Sequence, residues 1–397
     1  MKSKCFLLCI LLAAVQFSAQ VSWQVRASFP GAGRNHAIAF SHGTMGYVMT
    51  GVSTSDYKDF WQYNSLTDTW TQLPDYPGPK RSYGVGYVIN DKAYIGLGHT
   101  KGVSGYCQDW WQYDFNTSVW TQKSNFPGPG RDHPNCEVAN GMLYMGFGDN
   151  NSGNYKDWWQ YNPTTDTWTS KATYPGVTMH HPVAASSGGK IYVTQGHLES
   201  GSTNHGSTKT YSYDPASNTW ATLANMPGPG VVAGASFAIG NKVYSGAGIE
   251  EPVEVFHNEF YEYNIATNTW ASIANHPGTG WFGPVSFIIG NDGYVITGMD
   301  INGNNTKNCY RLHSTSTTGI EESIETSMMR VFPNPVINTL TLENEMKNVT
   351  VELYTISGVL IQSFTKKEQT LNIDMNNLPD GLYILRSAGF VQKVIKQ

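Results

Sequence analysis

A six-fold internal repeat constrains the fold of this 397-residue chain more than any other feature of its sequence. Each copy has a tryptophan followed, after five residues, by a bulky residue and a Pro-Gly pair, and a tyrosine lies 17 positions beyond each of those prolines. The tryptophans recur at spacings of 47, 50, 48, 52 and 50 residues: Trp23, Trp70, Trp120, Trp168, Trp220 and Trp270. Such regularity predicts six copies of one structural unit.

Each copy contains four short strand-like segments, which we name a, b, c and d in chain order. In the second copy they are RSYGVGYVI, KAYIGLG, DWWQYD and VWTQK, with turn residues such as Asn90-Asp91 between them. A four-stranded sheet of this kind has two apolar faces and cannot bury both alone, so the copies must pack around an axis. The chain begins with a d segment at Trp23 and its last copy stops after c, so the first segment should complete the last sheet. We therefore predict an all-β fold, a six-bladed β-propeller closed by the N-terminal strand.

The glycine that ends b, the aromatic residue of c and the tryptophan of d resemble the repeats of kelch β-propellers, the galactose oxidase/kelch-like group. The resemblance covers residues 21–312 and implies a propeller fold. Kelch repeats usually carry a Gly-Gly pair, where this chain has GLG, GFG, GAG or a single glycine. We interpret these variants as meeting the same need for close backbone packing.

The sequence changes character after the sixth copy, and no tryptophan follows Trp281. Residues 313–329 are rich in Ser, Thr and Glu and are predicted to be a linker. Residues 330–397 alternate apolar and polar side chains in segments separated by Ser357-Gly358 and Asp380-Gly381 turns, which predicts a small β-sandwich.

This tail resembles the C-terminal sorting domain of proteins exported by the type IX secretion system. The resemblance rests on VFPNP, YTISG, LPDGLYIL and the closing VQKVIKQ, in fixed order over the whole tail. It implies that the secretion machinery is a partner and that the chain is secreted, or reaches the outer surface of a Gram-negative cell, through the periplasm. The residues expected to form the sorting signal are Pro333, Asn334, Pro335, Gly358, Gly381, Tyr383, Lys393 and Lys396.

Residues 1–19 have the features of a secretory signal peptide, because two lysines precede a short apolar run. The propeller is then expected to span residues 20–312, and no later apolar run is long enough to predict a transmembrane segment in the mature chain. The net charge of −5 offers no positive field for nucleic acid. Three cysteines remain after the signal peptide, Cys107, Cys136 and Cys309, and this odd number means that disulfides are not the framework of the fold.

Alternating strand directions place the d–a loops and the variable b–c segments on one face of the propeller, where we expect binding. Its loops are polar over about four copies and apolar over two, which suits an amphipathic ligand such as a sugar. The candidate ligand-binding residues are Arg34, His36, Arg81, His99, Arg131, His133, Asp149, His181, His197 and Trp281. Alternatively, the arginines bridge carbonyl groups of the adjacent blade. Acidic residues at a constant position before c are expected to be structural: Asp59, Asp109, Asp157 and Glu259.

No catalytic motif, cofactor motif or metal-ligand spacing stands out in the sequence. The neighbours His180 and His181 would lie on opposite faces of a strand, so we expect no metal site there. We therefore predict a binding module for a glycan or a protein that needs no cofactor. Two alternatives stay open: a sugar-active enzyme similar to the sialic-acid epimerase (mutarotase) propellers, and a structural surface protein without a small ligand.

Overall fold

The computed structural model describes residues 21–102, 105–200, 203–314, 330–343, 347–355, 360–387 and 390–397. The chain divides into two compact units, residues 1–316 and 317–397. Within the described ranges both units consist of strands, turns and irregular segments without a helix, which confirms the all-β prediction. Consequently, that part of the chain has no helix of the length and apolarity needed to cross a membrane. The predicted signal peptide, residues 315–329 of the predicted linker and Gly358 lie outside the described residues.

The described part of the first unit contains six four-stranded antiparallel sheets, each in the spatial order a-b-c-d. Sheets 1 and 2 comprise Ile38–His42, Met45–Met49, Phe60–Asn64 and Thr69–Leu73, then Val85–Ile89, Lys92–Gly96, Trp110–Asp114 and Val119–Lys123. Sheets 3 and 4 comprise Asn135–Ala139, Met142–Gly146, Trp158–Asn162 and Thr167–Ser170, then Val183–Ser187, Lys190–Thr194, Tyr211–Asp214 and Thr219–Thr222. Sheets 5 and 6 comprise Ala235–Ile239, Lys242–Gly246, Phe260–Asn264 and Thr269–Ser272, then Val285–Ile289, Asp292–Ile296, Cys309–Ser314 and Val21–Arg26.

The d strand of sheet 6 comes from the start of the described chain. Val21–Arg26 runs antiparallel to Cys309–Ser314, with Trp23 opposite Leu312. The a strands contact one another in the order of their sheets, and the a strand of sheet 6 contacts that of sheet 1. Residues of all six a strands line one cavity, which we call the axial channel.

Neighbouring sheets bury their apolar faces against each other. One core cluster, for example, joins Phe40 and Met49 of sheet 1 to Ile95 and Tyr113 of sheet 2. The a–b turns suit these tight antiparallel connections, because Asn90 takes a left-handed φ of 54° that asparagine tolerates well. The repeat pattern thus reflects one core shared between each sheet and the next.

An indole hydrogen bond joins most neighbouring d strands. The tryptophan Nε1–H donates to the carbonyl that follows the d strand of the preceding sheet, as from Trp220 to Ala172 at 2.8 Å. The same bond occurs at Trp23, Trp70, Trp168 and Trp270. The repeated tryptophan therefore links sheets by a polar contact as well as by packing.

The variable b–c segments form small extra hairpins beside the d–a loops. Asp149–Asn150 pairs with Gly153–Asn154, and Ile249–Glu250 pairs with Val255–Phe256. His197–Ser200 pairs both with Thr203–Gly206 and with Met179–His180 of the d–a loop. These pairings place the b–c segments and the d–a loops next to each other.

The second unit contains two antiparallel sheets around one apolar core. One sheet comprises Arg330–Phe332, Thr339–Glu343 and Thr370–Asp374, and the other comprises Leu360–Lys366, Val349–Thr355, Gly381–Ser387 and Phe390–Lys396. Leu340 and Ile373 of the first sheet pack in one cluster with Leu353 and Leu385 of the second. The alternation of apolar residues in the tail is the pattern of this shared core.

Candidate functional site

The three arginines that were candidates for ligand binding are buried in the protein interior. Each is 0% exposed and forms an ion pair with one of the repeated aspartates, at 2.6, 2.6 and 2.5 Å: Arg34 with Asp59, Arg81 with Asp109 and Arg131 with Asp157. Each also donates to the backbone carbonyl 16 residues later, those of Thr50, Leu97 and Phe147. These acceptors belong to the arginine's own sheet. Both earlier interpretations are therefore corrected: the guanidinium groups neither face a ligand nor bridge to the adjacent sheet.

Trp281 occupies the arginine position of the sixth repeat and is buried as well. It is 1% exposed, stacks on Tyr310 with ring centroids 5.2 Å apart, and lies 4.7 Å from the His276 ring. The Trp281 ring is therefore not accessible to a sugar, which corrects its predicted stacking role. The side chain at this position packs into the sheet core whatever its type, as Met179 and Val231 also do.

One residue from each repeat, two positions after the buried arginine or its equivalent, belongs to a set that we call the axial ring. Its members all have left-handed φ angles between 47° and 62°: His36, Tyr83, His133, His181, Ala233 and Gly283. Five backbone hydrogen bonds link members of successive sheets, including one from His36 N–H to the Gly283 carbonyl at 2.9 Å. All six line the axial channel. The ring therefore gathers six side-chain positions from six distant parts of the sequence.

Three histidines of the axial ring contact one another. His36, His133 and His181 each offer a ring nitrogen, and these nitrogens lie within 4.8 Å of one another. His36 Nε2 and His181 Nε2 are 3.1 Å apart, and the His133 and His181 rings stack with centroids 3.5 Å apart. The expectation that the side chains of His180 and His181 lie on opposite faces of a strand was wrong, because their Nδ1 atoms contact each other. The other partners of His181, His36 and His133, come from other sheets.

Burial keeps these imidazoles neutral. It lowers the pKa of His36, His133 and His181 well below the ordinary histidine value, and the neighbouring histidines lower each pKa further. Burial likewise lowers the pKa of His180 to about 3. At neutral pH the cluster therefore presents uncharged nitrogens that can donate one proton or accept one.

Carboxylates accompany the histidines at the channel mouth. His99 Nδ1 lies 2.5 Å from Asp132, and His133 Nδ1 lies 2.8 Å from Asp149. His197 Nε2 lies 3.0 Å from Glu251. Burial raises the pKa of Asp132 to about 7, although His99 opposes the shift. These pairs make the mouth a network of neutral and weakly charged polar groups.

A cavity that we call the mouth pocket opens beside the axial ring, with a volume of about 310 Å³. The half-buried rings of Tyr83 and Phe282 line it together with Met299. Its polar lining comes from Asn35, Ser53, Asp56, Ser82, His99 and Lys101. The Asp56 carboxylate accepts hydrogen bonds from the Ser82 hydroxyl, at 2.8 Å, and from the Lys101 amide. The pocket thus combines two aromatic faces with hydrogen-bonding groups that are already held in place.

The axial channel, with a volume of about 190 Å³, carries a buried acid along its wall. Burial raises the pKa of Glu137 to about 8, although hydrogen bonds with Ser186 and Tyr87 favour its charged form. This carboxyl group is therefore mostly protonated at neutral pH. No feature of the sequence alone had pointed to it.

The structure brings together six of the ten candidates on the loop face. His36, His133 and His181 lie in the axial ring, whereas His99, Asp149 and His197 pair in β-bridges or ladders with the residue that precedes a ring member. Tyr83, Asp132 and Phe282 were not among the predicted site residues. Each is the second or third residue of a three-residue segment in a d–a loop, such as Arg131-Asp132-His133, which we call a loop triplet and whose first residue is buried. The second and third positions of these triplets were therefore the signal for the site.

The predicted sorting residues have local roles within the second unit. Asn334 donates to the Lys393 carbonyl at 2.7 Å and accepts from the Ile395 amide at 2.8 Å. The Lys396 ammonium lies 3.3 Å from the Asp380 carboxylate, and the Tyr383 hydroxyl donates to the Pro379 carbonyl at 2.6 Å. The first and last motifs of the tail are thus held together. Of the remaining sorting residues, Pro333 and Pro335 lie in the described range 330–343 and Gly381 lies in the described range 360–387.

Comparison with known proteins finds matches for both units. A family profile described as "Attractin/LZTR1 beta-propeller" matches residues 46–309, and one described as "Secretion system C-terminal sorting domain" matches residues 330–397. A solved structure titled "Structure of YjhT" is similar with a TM-score of 0.61 and 17% identity, over 71% of this chain and 95% of that one. No curated protein sequence matches the chain. The predictions of a kelch-type propeller and of a sorting tail are confirmed.

Proposed function

The chain belongs to the Attractin/LZTR1 β-propeller family and ends in a secretion-system sorting domain, and from this premise we propose that it is an exported protein that binds a glycan. The site is the mouth pocket. The observation that supports this function best is the pairing there of the Tyr83 and Phe282 rings with a polar wall.

The chemistry of the pocket suits a polyhydroxyl ligand. Sugars present apolar faces that pack on aromatic rings and hydroxyl groups that need both donors and acceptors. The Tyr83 and Phe282 rings lie 4.5 and 4.9 Å from the His36 ring, one from the second repeat and one from the sixth. His99 is held at Nδ1 by Asp132, which leaves Nε2 for a ligand hydroxyl. The lining also favours a small ligand over the broad, flat surface that a protein partner needs.

The proposed scaffold is a closed propeller of six blades followed by a β-sandwich. The pairing of Val21–Arg26 with Cys309–Ser314 and the order of contacts between the a strands support this arrangement. So do the indole hydrogen bonds from Trp70 to Ala27 and from Trp23 to Ala274, which join sheet 6 to both of its neighbours. A closed scaffold holds the six loops of the mouth rigid, which lowers the entropy cost of ligand binding.

We further propose that residues 1–19 direct the chain to the periplasm and that residues 330–397 are read by the type IX machinery. Residues 20–312 then act outside the cell or on its outer surface, with residues 313–329 as the linker. The match of the tail to a sorting-domain profile supports this route.

The test of glycan binding uses the mature full-length chain on a printed array of neutral, amino and acidic glycans, followed by calorimetry with the best hit. Tyr83→Ala and Phe282→Ala should each weaken binding at least tenfold, because each removes one aromatic face. Phe332→Ala is the matched control, since Phe332 is an exposed phenylalanine of the second unit. Absence of any hit would favour a structural surface protein, and affinity unchanged in both pocket variants would place the glycan outside the mouth pocket.

A second candidate function, a sugar-active enzyme, is favoured by the His99–Asp132 pair. An imidazole oriented by a carboxylate beside a pocket is an arrangement for general acid–base chemistry. Proton NMR of sialic-acid anomers would detect accelerated exchange in the presence of the protein. Acceleration that is lost in His99→Gln but kept in His42→Gln, a histidine paired with Asp91, would establish the enzyme. No acceleration would leave the binding function alone.

A further inference from the structure

The spacing of the three ring histidines is that of ligands around one metal ion. An imidazole nitrogen lies about 2.0–2.1 Å from a bound Zn²⁺, so neighbouring nitrogens of a tetrahedral site are about 3.3 Å apart. His36 Nε2 and His181 Nε2 are 3.1 Å apart, and the ligand nitrogen of His133 lies within 4.8 Å of both.

Each of these histidines is held through its other nitrogen. His36 Nδ1 lies 2.7 Å from the Asn35 side-chain oxygen, and His133 Nδ1 lies 2.8 Å from the Asp149 carboxylate. His181 Nδ1 contacts His180 Nδ1. Metal-binding histidines in proteins are typically oriented in this way, with one nitrogen on a carboxylate, carbonyl or other polar group and the second on the ion. The arrangement leaves Nε2 of all three rings as the ligand atom.

The residues around the three histidines also fit an ion. The remaining small residues of the axial ring, Ala233 and Gly283, offer no competing side-chain ligand, and the His36 ring packs directly on Gly283. Three imidazoles are a donor set that Zn²⁺, Cu²⁺ and Ni²⁺ prefer over Mg²⁺ or Ca²⁺, and a water molecule can complete the coordination.

We propose that His36, His133 and His181 bind one divalent transition-metal ion of the zinc class at the centre of the channel mouth. A neighbouring group, His133, Asp149 and His180, shares His133 and therefore competes with this site for the same ligand. The three-histidine site is favoured because Asp149 already holds His133 Nδ1 and thereby directs Nε2 to the ring. The proposal is independent of glycan binding.

The test uses the untagged mature chain, stripped with a chelator and titrated with ZnCl₂ alone by calorimetry. We expect one equivalent of Zn²⁺ per chain. Titration with Co²⁺ should give the intense visible absorption of four-coordinate cobalt with nitrogen ligands. His36→Ala and His181→Ala should each weaken Zn²⁺ binding at least 100-fold, whereas His42→Ala, on the opposite turn face and paired with Asp91, should leave it unchanged.

A second variant at the same position keeps the test decisive if His36→Ala does not fold. His36→Gln keeps a polar side chain but removes the imidazole, and it should weaken Zn²⁺ binding at least 100-fold, whereas the competing group lacks His36 and would bind Zn²⁺ as before. Zn²⁺ binding of native affinity in His36→Ala would assign the ion to the competing group and overturn the proposal. The absence of a Zn²⁺ equivalent in the folded native chain, or a Co²⁺ spectrum of six-coordinate type, would also overturn it.

Discussion

At the scale of single residues, a loop triplet begins with a buried arginine only in those repeats that also have the aspartate that binds it. The first three repeats have both the arginine and the aspartate that binds it, as in Arg81 and Asp109. In the fourth and sixth repeats Met179 and Trp281 replace the arginine, and Lys209 and Asn308 stand where the aspartate would be. Removal of one member of a buried pair is strongly destabilising, which explains why both positions change in these two repeats. The fifth repeat keeps an acid without the arginine: Val231 replaces the arginine, and Glu259 lies 3.0 Å from His257.

These pairs mark a limit of prediction from one sequence. Both positions were recognisable as repeated, and a structural role for the aspartates was expected. That the arginine and aspartate meet could not be read from spacing, because 25 or more residues and a loop of variable length separate them. For the site, this means that the first residue of each triplet packs in the core, whereas the second and third residues are available to contact a ligand.

The buried acid of the axial channel gives a prediction of pH dependence. The pKa of Glu137 is about 8 in the folded chain, against 4.5 for an ordinary glutamate, so the folded state holds a proton that the unfolded state releases. Stability should therefore fall as pH rises from about 4.5 to about 8. Glu137→Gln removes this slope, and urea unfolding should find the variant more stable than the native chain at pH 9, with a smaller difference at pH 5.

The same measurement on Glu352→Gln, in the second unit, provides the control for a simple change in charge. If the Glu137→Gln variant loses stability equally at both pH values, the carboxyl group is ionised in the folded state and the expectation fails.

At the scale of structural elements, four of the six described interfaces between neighbouring sheets share a hydrogen bond from a backbone amide to the side chain two residues before the repeated tryptophan. In sheet 6 this acceptor position is Val21, which has no side-chain oxygen. Asp166 accepts both from the Tyr161 hydroxyl of its own sheet and from the Ser124 amide of the preceding sheet. Asn218 and Asn268 make the corresponding bonds in the next two sheets. Between sheets 1 and 2 the acceptor position is Ser118 and the donor position is Pro74, which has no N–H.

This defect leads to a stability prediction. The Trp120 indole, whose equivalents donate to the residue at the Pro74 position, is buried without a partner among the described residues. Pro74→Ala together with Ser118→Asp should supply the missing amide and its acceptor, and aspartate suits the left-handed φ of 58° at this position. The double variant should raise the unfolding free energy by about 1 kcal/mol.

Thermal and urea unfolding of the double variant and of both single variants measure this gain. Pro74→Ala supplies only the donor and Ser118→Asp only the acceptor. The gain in unfolding free energy of the double variant should therefore exceed the sum of the two single gains. Strict additivity would mean that the bond does not form. The repeated tryptophan was evident in the sequence, but its hydrogen bond was not, since the acceptor is a backbone group of another copy.

At the scale of the whole molecule, the proposed closure depends on the first six described residues. Val21–Arg26 covers Cys309–Ser314, and Cys309 is fully buried. The pairing was foreseeable because the count of segments leaves one d strand at the start and none at the end. The gathering of three histidines was not foreseeable, since it depends on the left-handed backbone and on the order of sheets around the channel.

Removal of residues 21–26 should expose the Cys309 thiol while the rest of the propeller stays folded. Alkylation with iodoacetamide, read peptide by peptide by mass spectrometry, should be at least tenfold faster at Cys309 than in the intact chain. Cys136 is the internal control, because it is buried in sheet 3, away from the deleted strand. Equal acceleration at both thiols would indicate global unfolding, and unchanged labelling at Cys309 would contradict closure by this strand.

The left-handed residues of the axial ring separate recognition from architecture. Each takes part in a ring of five hydrogen bonds that depends on backbone alone, so histidine, tyrosine, alanine and glycine all occur there within one chain. Each copy of the repeat therefore supplies one ring position at which the side chain can change while the backbone hydrogen bonds stay. A scaffold of this kind can acquire a new specificity through substitution of one ring residue at a time.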